Sequence, residues 1–178
     1  VVTENRIVAV GANVQVPSGA TVIDLNGKTI MPGLVDVHAH IGNFRNGLPP
    51  NQQWEYFANL AYGVTTAHDP SSDTEMIHAN SELIKAGHMV GPRIFSTGRI
   101  LYGAEGNFKA VINNIEDARS AIRRTQAFGA ISVKSYNQPR RDQRQQVMQA
   151  ARELGVLVVP EGGSTFTHNM TMILDGHT

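Results

Sequence analysis

The sequence predicts an α/β fold, with parallel strands alternating with helices along most of the chain. Three observations predict it. Short apolar runs recur roughly every 25–37 residues, a spacing that suits βα units better than hairpins. The stretches between them show helical periodicity with recognisable starts and stops. The runs are apolar on both faces, as strands buried in a parallel sheet are.

The elements follow in order. Arg6–Val10 and Thr21–Leu25 read as short strands, and Asn26-Gly27 before Lys28-Thr29-Ile30 is a hairpin-turn signal. Residues 1–30 therefore form a small β unit without room for a full core of its own. From Met31 the pattern changes. Leu34–His38 is the first strand of the alternating series. Gln52–Tyr62 places Trp54, Phe57, Ala58 and Ala61 on one helical face, and Gly63 stops it. Val64–Asp69 is the second strand. Asp73–His88 is helical, with Met76, Ile77, Leu83 and Ile84 suited to burial. Arg93–Thr97 is the third strand. Asn114 caps a helix with Asp117 in its first turn, where the dipole favours an acid, and that helix ends at Phe128-Gly129. Ala130–Val133 is the fourth strand. Pro139 suits the first turn of a helix over Arg140–Leu154, which Gly155 closes. Val156–Val159 is the fifth strand, and His168–Leu174 is a last helix with Gly176 past its end. About five βα units result. A complete (β/α)8 barrel takes about 250 residues, so a doubly wound α/β domain and a barrel cut partway round both remain.

Composition narrows the partners. The 178 residues balance fifteen basic against fifteen acidic side chains, and no basic block appears. That gives no reason to expect a nucleic acid or an anionic membrane as partner. Arg140–Gln146, "RRDQRQQ", reads as a solvated helix face. Without cysteine, disulfides and thiolate metal sites are excluded. No apolar run is long enough to span a bilayer. The opening has no initiator Met or signal-like region, so the chain reads as a piece of something longer. A cytoplasmic and a periplasmic origin both stay open.

The chemistry begins in "MPGLVDVHAHIG", Met31 to Gly42. His38 and His40 are two apart at the end of a strand, so both imidazoles point to one face. Two neutral imidazoles converging there can hold a zinc-like ion. A hydrogen-bonded structural pair is the alternative on spacing alone. Lys134 sits among apolar neighbours near the fourth strand's end. A lysine there is costly unless it is paired or neutralised, and a buried amine can act as a nucleophile. Glu161 and His168 lie on or after the Gly-rich stretch that follows the fifth strand. His68 with Asp69 ends the second strand, and Tyr136 shares the face of Lys134 if its strand continues. Arg99, Tyr102 and Glu105 lie in a Gly-rich loop after the third strand. His78 and His88 read as surface residues.

The stretch "LNGKTIMPGLVDVHAHIG" resembles the opening of the amidohydrolase superfamily, in the branch of imidazolonepropionase-like and prolidase-like hydrolases. The resemblance continues through "YGVTTAHDP", "GPRIFSTGRIL" and "GAISVKSY" and covers nearly the whole chain. It implies a partial TIM-like (β/α) barrel over residues 31–178, preceded by a β segment of a small sandwich over residues 1–30. It implies that His38 and His40 bind metal. Lys134 takes the place of a lysine often carboxylated to bridge two metals, which makes it both the catalytic and the bridging-ligand candidate. The implied cofactors are one or two divalent ions, zinc in first place, with manganese or iron as alternatives. The implied activity is hydrolysis of a C–N bond outside ordinary peptide bonds, or an Xaa-Pro-like one, by metal-activated water on a small-molecule substrate.

The fifth strand departs from that pattern. Relatives end it in a ligand histidine, whereas this chain reads "LVVPEGGSTFTHNM". Glu161 and His168 are the candidates near that place, and with His68 and Tyr136 they are expected to contact substrate. His177, in "DGHT", falls in a turn rather than on a ligand strand. The strand-6 histidine and strand-8 aspartate of the family would lie beyond Thr178. The chain is therefore expected to be inactive alone and to self-associate through exposed barrel edges. The alternative is a degenerate, non-catalytic binding or structural module.

Overall fold

A strand repeats every two residues and a helix every 3.6, so the alternation of runs becomes an alternation of elements. The computed structural model describes residues 1–42, 51–136 and 140–177. It divides into two compact units, Val1–Pro32 and Gly33–Thr178.

In the first unit, β1 (Val2–Thr3) and β2 (Arg6–Ile7) form an antiparallel ladder, Val2 facing Ile7. The Val1 amino group donates to the Ala9 carbonyl at 2.7 Å. The strands expected over 21–25 and 28–30 are not formed. Asn26-Gly27 does make a turn, with the Lys28 N–H donating to the Leu25 carbonyl at 3.0 Å. Its arms have no ladder, and Val22, Ile23 and Ile30 are exposed. A two-stranded hairpin without an apolar surface to cover is marginal in water, which accounts for the missing strands. A sandwich is not seen among the described residues.

The second unit is the alternating part. Its elements are β3 (Leu34–Asp36), α1 (Trp54–Ala61), β4 (Val64–Asp69), α2 (Thr74–Lys85), β5 (Arg93–Ser96), β6 (Ile100–Tyr102), β7 (Lys109–Val111), α3 (Ile115–Ala127), β8 (Ser132–Ser135), α4 (Arg141–Leu154), β9 (Leu157–Pro160) and α5 (Phe166–Asp175). Every ladder is parallel, in the orders β3-β4-β5 and β7-β6-β8-β9. The mixed α/β architecture with parallel sheets agrees with the expectation. Closure into a barrel does not appear among the described residues, where β3 and β9 end their sheets.

The third predicted strand, Arg93–Thr97, is met by β5, and a further strand, β6, follows it that was not foreseen. β5 pairs with β4, then Thr97-Gly98-Arg99 kinks the chain so that β6 pairs with β8 instead. Gly98 has φ +61°, and a Cβ there would meet Thr74 Oγ1 at 2.4 Å. Only glycine fits that kink without a shift. β7 was not foreseen. The fourth strand lies two residues later than expected, which puts Lys134 inside the ladder rather than past it.

Two apolar cores seat the helices. Leu101, Val133 and Val158 pack with Ala118, Ile122, Val147 and Ala151 of α3 and α4. Ala39, Ile41, Ala67 and Ile94 pack with Tyr56 and Ile77 of α1 and α2. Burying each large aliphatic side chain contributes about 1.5–3 kcal/mol. α1 buries a different face from the one its sequence predicts. Trp54 and Phe57 are exposed and Tyr56 is buried, because its hydroxyl accepts from Asn80 Nδ2 at 3.0 Å and so loses no hydrogen bond on burial. The caps follow the sequence. Asn114 Oδ1 accepts from the Glu116 and Asp117 N–H groups, and Gly155 ends α4. Pro139 lies outside the described residues. No helix among those residues is long and apolar enough to cross a membrane.

Candidate active site

Strand alternation fixes which side chains meet. Residues of β4, β6, β8 and β9 that pack on the helices leave their neighbours on the opposite, open face. Ala39 and Ile41 join the helix-side core, so His38 and His40 turn to the open face. Their ring centroids are 5.2 Å apart at 80°. Gly33 permits the approach of this segment to β4: a Cβ there would sit 1.9 Å from Thr65 Oγ1. The Ala39 N–H donates to the His68 carbonyl at 2.9 Å, extending the pairing past β3 to the histidines.

On the same face, Lys134 is 0% exposed. Its ammonium lies 2.5 Å from Glu161 Oε2 and 3.4 Å from His38 Nε2. His38 Nε2 is itself 3.8 Å from Glu161 Oε2. An ammonium only donates, so His38 Nε2 presents a lone pair to it. Burial, then the Lys134 charge, pushes the His38 pKa below its ordinary value, which keeps the ring neutral. Glu161 reaches this point because its N–H donates to the Ser135 carbonyl at 3.0 Å, continuing the β8–β9 ladder.

His40 turns Nδ1 toward Asp69 Oδ1 at 3.6 Å and Ser71 Oγ at 3.5 Å, leaving Nε2 as its outward nitrogen. Asp69 is nearly fully buried. The Gly42 N–H donates to its Oδ2 and the Ser71 N–H to its Oδ1, each at 3.1 Å. Burial raises the Asp69 pKa, and these donors oppose the rise. Asp69 thus orients His40 from behind.

His68 sits a layer below. Its Nε2 is 2.8 Å from Ser132 Oγ, and its ring also bonds to the Val37 backbone. A carbonyl only accepts, so the nitrogen facing Val37 carries the proton and Ser132 donates to Nε2. Burial lowers the His68 pKa. The ring therefore joins three strands beneath Lys134. Tyr136 pairs edge-to-face with Tyr102 at 5.6 Å. His168 lies on α5, its Nε2 buried without a hydrogen-bond partner, and its pKa is lowered by burial and Arg144. It makes no hydrogen bond or ion pair with His38, Lys134 or Glu161 among the described residues. Ser135 faces away from Lys134, and His177 Nε2 meets its hydroxyl at 3.0 Å, so His177 belongs to the helix side.

The sequence reading missed Ser132, Ser71 and Lys109. Ser132 is two residues before Lys134, and strand period alone could have placed it on that face. Nothing local marks the other two.

Among the described residues, no cluster of three or more His, Asp or Glu side chains is arranged to hold a metal ion. The test of fit is what His38 and Glu161 already do. A neutral imidazole and a carboxylate converge on a cation, the Lys134 ammonium, at the C-terminal ends of parallel strands. That donor set suits a divalent ion of the zinc kind, with the His40 ring next to that of His38.

No family model matches the chain, and no curated protein matches it. Solved structures do. An uncharacterized protein matches with TM-score 0.71 and 22% identity over 92% of this chain and 50% of that one. A Xaa-Pro dipeptidase with methionine bound in its active site matches with TM-score 0.64 and 18% identity over 82% and 46%. Phenylurea hydrolase B matches with TM-score 0.63 and 20% identity over 91% and 49%. The chain spans about half the length of each. At 18–22% identity these likenesses are of fold: this chain shares the α/β fold of these structures.

Proposed function

We propose that this chain contributes part of the active site of a metal-dependent hydrolase acting on C–N bonds outside ordinary peptide bonds, or on Xaa-Pro-like ones. The observation that carries the reading is the convergence of His38, Lys134 and Glu161 at one point beside His40. His38 and His40 would hold one or two divalent ions, zinc in first place, with Glu161 supplying a carboxylate where relatives carry histidine. Such an ion supplies Lewis-acid polarisation of a carbonyl and makes water acidic enough to ionise near neutral pH. Asp69 faces His40 Nδ1, the nitrogen turned away from the proposed ion, a support of the kind that fixes ligand orientation. Lys134, when unmodified, faces Glu161 and His38 with its terminal nitrogen.

A binding module without catalysis is the second reading. The Lys134–Glu161 pair favours it, since two groups that satisfy each other leave less for a metal. Metal analysis of the purified chain separates the two. Wild type is expected to retain zinc, manganese or iron after dialysis, and the His38→Ala, His40→Ala double variant to lose it. A wild-type chain that retains none of these metals would sink the metal-site reading.

A further inference from the structure

The open face carries a second feature above Lys134. β6 pairs Ile100 with Lys134 on one side and with Lys109 of β7 on the other. Leu101 and Val133 point into the helix-side core, so Tyr102 and Tyr136 are the next open-face residues toward the strand ends. Lys109 reaches over both. Its ammonium lies 4.3 Å from the Tyr102 ring centroid and 5.5 Å from that of Tyr136, within the range of a cation–π contact. Gly106 lies against the Lys109 stem, where a Cβ would meet Cδ at 2.9 Å.

Ring faces position a cation without neutralising it. Lys109 has no carboxylate within ion-pair distance among the described residues, whereas Lys85 and Lys134 do. Lys109, Tyr102 and Tyr136 are all half-buried. The arrangement is a fixed, uncompensated positive charge at the rim of the proposed site. One ammonium matches one negative charge, and a carboxylate is the common organic monoanion. The aromatic pair beneath suits an apolar group next to it.

We propose that Lys109, held by Tyr102 and Tyr136, anchors the carboxylate of the substrate, so that the site prefers amides whose amine or acyl part carries a free acid. This rests on the hydrolase reading for the word substrate, but its test reads binding alone. The probes are N-acetyl-L-methionine and its neutral amide, titrated calorimetrically against the whole chain. Wild type is expected to bind the acid about tenfold more tightly than the amide. Lys109→Met should remove the preference and Lys109→Arg should keep it, which separates loss of charge from loss of fold. Equal affinities in wild type, a preference that survives Lys109→Met, or no saturable binding of the acid would each overturn the assignment. An intact preference in a chain that retains no metal defeats only the hydrolase reading. Equal affinities in a chain that retains metal defeat only the role of Lys109.

Discussion

Lys134 and Glu161 form an asymmetric pair. The lysine is 0% exposed and the glutamate 31%. Removing the carboxylate strands a buried ammonium, whereas removing the ammonium leaves a carboxylate that water still reaches. Glu161→Gln is therefore expected to cost about 2 kcal/mol, less than a fully buried pair because Glu161 is partly solvated. Lys134→Met is expected to cost under about 1 kcal/mol, since a similar apolar volume fills the space. Denaturant midpoints of the two variants check this, and the reverse order would contradict it. The sequence made part of this site legible. Period two placed His38 and His40 on one face and raised Tyr136 as a neighbour of Lys134. Glu161 was visible as an acid at a strand end. Its partner was not, because the β8–β9 register depends on long-range pairing. Lys109 was invisible for the same reason, since β7 exists only as a rim strand beside β6.

At the scale of elements, α5 is docked by polar contacts as much as by apolar ones. Arg141 donates to both oxygens of Asp175 and holds the carboxyl pKa below its ordinary value. Arg152 Nη2 donates to the Asp175 carbonyl at 2.7 Å. His177 then ties the end of this segment to β8 through Ser135, and its Nδ1 donates to the Met172 carbonyl at 3.0 Å. Burial lowers the His177 pKa from 6.5. The unfolded chain therefore binds a proton at higher pH than the folded one. Stability from the neutral ring is complete above 6.5 and is lost as pH falls from there through the depressed folded value. His177→Gln is expected to flatten the loss of melting temperature on the acid side of 6.5 relative to wild type. An unchanged slope would show that His177 is not linked to folding. Helix ends at Asn114 and Gly155 were readable because caps are local chemistry. The face of α1 was not, because the Tyr56–Asn80 hydrogen bond joins residues far apart in the chain.

At the scale of the chain, the sheets of the second unit keep free edges. Among the described residues, β3 and β9 each have one unpaired edge, and Leu34, Val35, Val37 and Leu157 along them are exposed. Unpaired apolar edges recruit strands from other chains. Sedimentation velocity over a concentration series is expected to show self-association of this chain, and a monomer throughout would contradict it. The alternating βα series was legible because each helix and strand announces its own period. The first unit was misread at 21–30, where strand-like sequence lacks the surface that would make it a strand. The face that carries His38 and His40 is expected to bind a divalent ion through these two rings with help from Glu161. Calorimetric titration with zinc tests it most directly. Wild type should saturate with one or two equivalents, Glu161→Gln should bind roughly 10–100-fold more weakly, and the double histidine variant should bind none. Equal zinc affinity in wild type and the double variant would contradict the claim.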